Sequence, residues 1–347
     1  LVTPLIAGFG SALPDTTEQQ VLWDDFFQEH FRASRLARRV FAGAGVRRRH
    51  TVANPIKEDL SGWSTAARMR RFSEEAPRLG HRAVAAALDD AGIDGDDVGL
   101  LTVVSCTGYG TPGLDIKLAA SLGLRPDLRR LFVGHMGCYA ALPALGGVAD
   151  FVAAHGRAAV LLSVELTSLH IQPPTDDPQQ VVSHALFGDA AAAAVLQPHS
   201  GGLAVVDIAA FTDASASTHM TWDITDLGFR MGLSPQVPDV LARHLGAVLD
   251  DLLGRNGLRR SDIRGWAVHP GGPRILDTVE DTLGLPPSAL QPSRDVLAER
   301  GNCSSATLLM VLEELWAGGE LRPGSHIAAL AFGPGLTLYA ALLEVIM

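Results

Sequence analysis

The same order of residue types recurs in the middle and at the end of this chain. Ala185-Leu186-Phe187-Gly188-Asp189 leads into the apolar run 190–196, and Leu330-Ala331-Phe332-Gly333-Pro334-Gly335 leads into the apolar run 336–342. Each is an apolar approach, a Phe-Gly turn and a strand-like run, and each closes about half of the 347 residues. The echo points to an internal duplication with its boundary between Pro198 and Leu203, giving halves 1–200 and 201–347. Around it, apolar and helix-like runs alternate. Strands are expected at 5–8, 99–105, up to Val133, 158–164, 190–196 and 266–268. Helices are expected at 20–40, at 82–91 with Gly92 as its stop, up to Leu122, at 140–154 with Pro143 in the first turn, and at 303–317. The alanine run 190–194 favours helix by propensity, but it follows a Gly-Asp turn and stops at Gln197-Pro198, so it is read as a closely packed strand. The polar, proline-rich stretch 172–180 is read as a loop that can serve as a lid. Such alternation predicts an α/β fold with parallel-rich sheets and helices on both faces.

Composition narrows the classes. Hydrophobic residues make up 47% and charged residues 19%, which suits a large buried area or a subunit interface. The net charge of -10 and the lack of a long Lys/Arg run argue against nucleic acid as a partner. The densest basic cluster, Arg35, Arg38, Arg39, Arg47, Arg48 and Arg49, reads either as a solvated face or as an anion site. Cys106, Cys138 and Cys303 are too few and too far apart for a disulfide framework or a zinc site, so a reducing, cytoplasmic setting is expected. No apolar run approaches the ~20 residues of a membrane span, and no basic-then-apolar leader is visible at Leu1.

Three positions carry chemistry. Cys138 follows Gly137 where the run 131–133 gives way to a helix-like segment. A thiol at such a helix N-terminus is expected to have a lowered pKa and to act as a nucleophile. His269 ends the strand 266–268 ahead of Pro270-Gly271-Gly272 and is the partner that a thiol nucleophile needs. Asn302 reads either as the N-cap of the helix 303–317 or as an amide donor to an oxyanion. Together they suit attack on a thioester, with the same two donors stabilising an enolate formed when a malonyl group loses carbon dioxide. The order Cys, His, Asn also occurs in papain-like proteases. Those surround the nucleophile with a cysteine and a tryptophan, whereas here its neighbours are Met136, Gly137, Tyr139 and Ala140.

Five motifs fall in one order: Gly137-Cys138, 185–189 as quoted above, His269-Pro270-Gly271-Gly272-Pro273, Gly301-Asn302-Cys303-Ser304-Ser305 and Phe332-Gly333-Pro334-Gly335. With them the chain resembles the bacterial type III polyketide synthases, the chalcone-synthase-like group of the thiolase superfamily. The resemblance implies a thiolase-like αβαβα layered fold from two similar halves, a homodimer and no bound cofactor. It implies an acyltransferase that loads an acyl-CoA starter, extends it with malonyl-CoA by decarboxylative condensation and cyclises a pyrone or resorcinol type of product. Cys138 would be the acyl carrier, with His269 and Asn302 as its helpers, and Phe187 and Phe229 the two gatekeepers. Cys106, His170, Met220, Thr111 and Ser304 would meet the substrate, and Arg39 and Arg274 coenzyme A. Plant members of the family have small polar residues in place of Cys106 and His170, a glycine near Met220, and at Thr111 a methionine that enters the partner's cavity; these departures point away from a chalcone-type product. Two other readings remain: a ketoacyl-carrier-protein synthase III-like enzyme stopping after one condensation, and a non-catalytic dimer using the same scaffold for binding.

Overall fold

A computed structural model describes residues 2–198 and 201–346. The boundary expected at 200/201 touches residues 199 and 200, which lie outside the described residues. Nine strands join in one mixed sheet: β1 (Leu5–Ala12), β2 (Val98–Val104), β3 (Arg129–Val133), β4 (Ala158–Leu166), β5 (Asp189–Gln197), β6 (Gly202–Thr212), β7 (Ile263–Val268), β8 (His326–Gly333) and β9 (Thr337–Ile346). Their order is β7-β8-β9-β6-β1-β5-β4-β2-β3. In one block β3, β2 and β4 are parallel and β5 turns back antiparallel to β4. In the other, β7 and β8 are parallel and β9 turns back antiparallel to β8. The blocks meet where β1 pairs with β6 through Leu5↔Ala204 and Ile6↔Leu203.

Side-chain alternation along the strands sets the layers. In β5, Ala190, Ala192, Ala194 and Leu196 face one way, and Ala191, Ala193 and Val195 the other. The first set shares a core with Ile327, Ala329 and Ala331 of β8 and Ala341, Leu343 and Val345 of β9. The helices Ala141–His155 and Ser305–Ala317 contribute to that same core and form the middle layer. The second set packs on the helix Thr65–Ala91. The opposite faces of β8 and β9 pack on the helices Val237–Arg255 and Pro273–Leu283. The result is the five-layered αβαβα arrangement. The segment Gly137–His155 is long and apolar enough to cross a membrane by length and composition, yet 61% of its apolar window is buried in the molecule. That burial is what a central-layer helix requires.

Three expectations are corrected. The helix expected from residue 82 begins at Thr65 and runs through Pro77. Proline cannot donate to the carbonyl four residues back, and Lys117 Nζ supplies a donor to that carbonyl, Ser73 O, at 3.0 Å. The single helix expected over 20–40 is broken. Arg32 and Ala33 take positive φ, and Ser34 caps a separate helix Arg35–Ala42 by accepting from Ala37 N. Only part of the expected lid is loop, because Asp177 caps a helix Pro178–Leu186 with proline in its first turn.

Arg68, fully buried in the Thr65–Ala91 helix, holds two segments beside the site. Its guanidinium donates to the carbonyls of Leu60, Ser61, Trp63, Leu169 and Ile171. Burial pushes its pKa down to about 10, so it stays charged near neutrality. Arg68→Met would leave five carbonyls without this donor. The expected loss, read as a lowered melting temperature and denaturant midpoint, is at least ~3 kcal/mol, since each unsatisfied buried acceptor costs ~1–3 kcal/mol. A change below ~1 kcal/mol would show that water replaces the guanidinium.

Candidate active site

The three chemical residues arrive from three segments. After β3 the chain passes through His135 and Gly137 at positive φ (49° and 75°) and makes one tight turn at Gly137–Tyr139; the helix follows at Ala141. A Cβ on Gly137 would lie 2.7 Å from Pro334 Cδ, and one on Gly333 would lie 3.3 Å from Cys138 N. The Gly-Cys step and the Phe-Gly-Pro-Gly turn are therefore packed against each other, which accounts for glycine at both. His269 continues β7, its N–H donating to Leu330 O at 2.8 Å. Asn302 sits where two backbones cross: its N–H donates to Leu186 O (2.8 Å) and its carbonyl accepts from Gly188 N (3.0 Å). A Cβ at position 188 would fall 2.5 Å from Arg300 O, so only glycine permits the crossing.

Asn302 is not the N-cap that one reading proposed. Its Oδ1 accepts from Ser304 N at 2.9 Å, Ser304 takes φ 49°, and the helix begins at Ser305. With Oδ1 so engaged, Nδ2 is the group left to donate, and it has no acceptor among the described residues. Both ring nitrogens of His269 are buried and likewise without a partner.

Cys138, His269 and Asn302 line one cavity of about 630 Å³. Phe187, Met220 and Met231 form part of its wall, and the exposed Arg39 and Arg274 stand on it. Cys106, His170, Phe229, Ser304 and Thr111 are not among its lining residues. Cys106 and Ser304 lie just behind Cys138, with Sγ and Oγ 3.4 Å apart. Glu165 anchors that region, accepting from Cys106 N (3.0 Å), Thr107 Oγ1 (2.8 Å) and Ser305 Oγ (2.5 Å). Phe229 stacks on His170 with ring centroids 4.4 Å apart, and both line a second, smaller cavity together with Phe187 and Trp222. Thr111 is exposed, in a depression shared with Tyr109 and Phe132.

The electrostatics run against one expectation. Burial pushes the Cys138 thiol up to about 12; a hydrogen bond with Ser304 opposes the rise and the Glu165 carboxylate adds to it. The expected lowering at a helix N-terminus is thus outweighed, because the sulfur is buried and its helix starts with a tight turn. Burial also pushes His269 down to about 3. Each charged form alone is disfavoured. The resting forms are therefore a neutral thiol and a neutral imidazole, a proton donor and a proton acceptor lining the same cavity.

Sequence reasoning passed over Trp222, Met231 and Glu165. Trp222 alternates with Met220 on the strand Met220–Thr225, and Trp222↔Met231 is a cross-strand pair of the hairpin closed by Gly228–Leu233. That alternation was the available signal. Glu165 lies at the end of a buried strand, and an acid within such an apolar run was its signal.

Comparison with known proteins bears on the whole chain. Residues 5–199 match the N-terminal domain of chalcone and stilbene synthases, and residues 205–347 match the C-terminal domain. A 1,3,6,8-tetrahydroxynaphthalene synthase of Streptomyces peucetius is 38% identical, over 89% of this chain and 83% of the relative. A 3,5-dihydroxyphenylacetyl-CoA synthase of Streptomyces toyocaensis is 34% identical over 98% and 90%. The crystal structure of 1,3,6,8-tetrahydroxynaphthalene synthase from Streptomyces coelicolor A3(2), a bacterial type III polyketide synthase, superposes with a TM-score of 0.93. It shares 28% identity and covers 99% of both chains.

Proposed function

The chain belongs to the chalcone and stilbene synthase family and is a type III polyketide synthase, a decarboxylating acyltransferase, and on that premise we propose the roles of its residues and its class of product. The carrying observation is that three segments bring Cys138, His269 and Asn302 to one cavity in which both ring nitrogens of His269 are unpartnered. Cys138 gives its proton to His269, and the thiolate attacks the carbonyl carbon of an acyl-CoA thioester. His269 N–H and Asn302 Nδ2 hold the oxyanion. The tetrahedral centre collapses, the C–S bond to coenzyme A breaks, and the released thiolate takes up the proton. Malonyl-CoA then binds in the same cavity. Loss of carbon dioxide leaves its electron pair as an enolate on the thioester, held by the same two donors. The enolate carbon attacks the acyl group on Cys138, forming the C–C bond and freeing the cysteine. All these steps use side chains and the two CoA substrates, with no bound cofactor.

The two halves 1–200 and 201–347 divide the work, the first supplying Cys138 and the second His269 and Asn302. Arg39 and Arg274 attract the phosphates of coenzyme A at the rim. Phe187 acts as a gatekeeper from the cavity wall, and Phe229 acts through His170 and the ring group behind it. Met220 narrows the chamber, Cys106 and Ser304 set its floor beneath Cys138, and Thr111 faces a second subunit in a homodimer. The enzyme works in the cytoplasm. The largely apolar wall suits an aliphatic or small acyl starter and a pyrone or resorcinol type of product. The relatives named above are, by name, synthases of tetrahydroxynaphthalene and dihydroxyphenylacetyl-CoA, which are ring compounds, and this favours repeated extension and cyclisation over the single-condensation alternative.

The test is a mass spectrum of products from the purified protein with malonyl-CoA and a panel of acyl-CoA starters. Pyrones or resorcinols support the reading; one condensation and no ring would support the alternative. The proton transfer has its own check. Alkylation of Cys138 by iodoacetamide is expected at neutral pH in the wild type. In His269→Gln the thiol has lost its proton acceptor, so alkylation should slow at least ~10-fold at pH 7 and rise only towards the alkaline range. Identical profiles would remove His269 from thiol activation.

A further inference from the structure

The basic cluster of the sequence divides in the structure. Arg35, Arg38 and Arg39 are exposed, and Arg47 and Arg48 pair with Glu299. Arg49 turns inward and is only 4% exposed. Its Nη1 donates to the carbonyls of His184 and Phe187. Its guanidinium carbon lies 5.5 Å from the centre of the Phe27 ring and 5.9 Å from that of Phe41. Rings so placed attract the charge and leave the N–H groups unbonded. Nε and Nη2 carry the remaining three N–H groups, and both atoms are buried without a partner. Thr51 Oγ1, two residues further on, is buried and unpartnered as well. The carboxylate that acts on Arg49 is already occupied: the Asp189 oxygens accept from Val52 N, Ser168 N, Ser168 Oγ and Thr167 Oγ1. Burial pushes the Arg49 pKa down to about 10 against the pull of Asp189, so the guanidinium stays charged near neutrality. Arg49 and Thr51 both line the smaller cavity beside the Cys138 site, whose volume of about 30 Å³ is room for one or two heavy atoms. Gln19 Oε1, a buried acceptor without a partner, belongs to a residue outside that wall.

We propose that this small cavity is a halide-binding site, filled by chloride and held by Arg49 Nε and Nη2 together with the Thr51 hydroxyl. The donors and the charge select an anion. A water in that place accepts from the guanidinium but needs acceptors for its own two hydrogens, and Arg49 offers none. A halide ion only accepts, and it brings the counter-charge that a buried cation with unbonded N–H groups lacks. The volume selects the size: sulfate, phosphate and carboxylates have too many heavy atoms for it. The same guanidinium holds the carbonyls of His184 and Phe187, so the ion would fix the segment that carries Phe187 to the Cys138 cavity and Gly188 to its bond with Asn302 O. The proposal concerns binding and is independent of the polyketide synthase reading.

The test is the melting temperature of the purified protein as sodium chloride replaces sodium gluconate at constant ionic strength. With ~0.2 M chloride and a dissociation constant of ~10 mM, the wild type should gain about 3 °C. Arg49→Met removes the charge and the donors, and it should gain nothing. If that variant does not fold, Thr51→Val carries the comparison: it lacks one donor, and its gain should fall by about half or more. Crystals soaked in sodium bromide locate the ion, with an anomalous peak expected within hydrogen-bond distance of Arg49 Nε or Nη2. Equal melting temperatures of the wild type in the two salts would overturn the proposal. A chloride gain that is undiminished in the variants would overturn it as well, by placing the ion elsewhere. Density beside Arg49 with no anomalous signal would assign the cavity to water.

Discussion

Cys138→Ala is expected to abolish acyl-enzyme formation, leaving the intact protein at its unmodified mass after incubation with any acyl-CoA. Turnover should fall by on the order of 10⁴-fold or more, as for removal of other covalent nucleophiles. The structure offers no substitute thiol. Cys106 is close, but it does not line the cavity that holds Cys138, His269 and Asn302, and its Sγ is engaged by Glu165 and Ser304. Cys303 is fully buried, with Sγ 3.3 Å from Arg300 O, and it too is absent from the cavity lining. The replacement removes one sulfur from the cavity wall, so the fold should persist with a loss of ~1 kcal/mol. An unchanged circular dichroism spectrum with a missing adduct is the combination to look for. An adduct of normal yield on Cys106 in this variant would sink the assignment of the nucleophile.

Much of this was legible in the sequence because strands end where chemistry can face a cleft. Cys138 after the β3 run and His269 after β7 could be placed from apolar runs cut short by glycine. The alanine strand β5 could be chosen over a helix from its turn and its stop, and the alternation of runs was enough for a layered α/β fold. What could not be read depends on distance between segments. The sign of the Cys138 shift is set by how much protein surrounds the sulfur, which no local motif encodes. The part played by Gly188 depends on the crossing of Leu186–Gly188 with Asn302, which no local motif encodes, although this glycine stands in a quoted motif. His170 and Phe229 were expected in the substrate cavity as single residues. The ring group that holds them away from it needs Trp222, whose position depends on hairpin register. The helix break at Arg32 and Ala33 has no glycine or proline to announce it; Ser34, a capping residue, was the only local sign.

Asn302→Ala is expected to suppress malonyl-CoA decarboxylation by ~100-fold or more, the usual cost of removing one oxyanion donor. Starter loading, measured as adduct on Cys138, should survive in part, because His269 still donates to that tetrahedral oxygen. The difference between the two steps follows from charge. In loading, the negative charge is passed quickly to the leaving thiolate of coenzyme A. In decarboxylation the enolate must persist until its carbon finds the acyl group, so each donor counts for longer. Alanine removes two things at once, the Nδ2 donor and the Oδ1 that accepts from Ser304 N at 2.9 Å. Asn302→Asp separates them. It keeps an oxygen for Ser304 N, so the positive-φ turn ahead of the Ser305–Ala317 helix is retained, and it replaces the donor with a carboxylate oxygen. If donation to the enolate is the function, the aspartate variant loses at least as much decarboxylation as alanine, since a negative group now faces a developing negative charge. If the residue serves only to shape the turn, the aspartate variant runs near the wild-type rate, and the oxyanion role passes to His269 alone. Release of labelled carbon dioxide from malonyl-CoA, beside the adduct on Cys138, distinguishes these outcomes in one experiment.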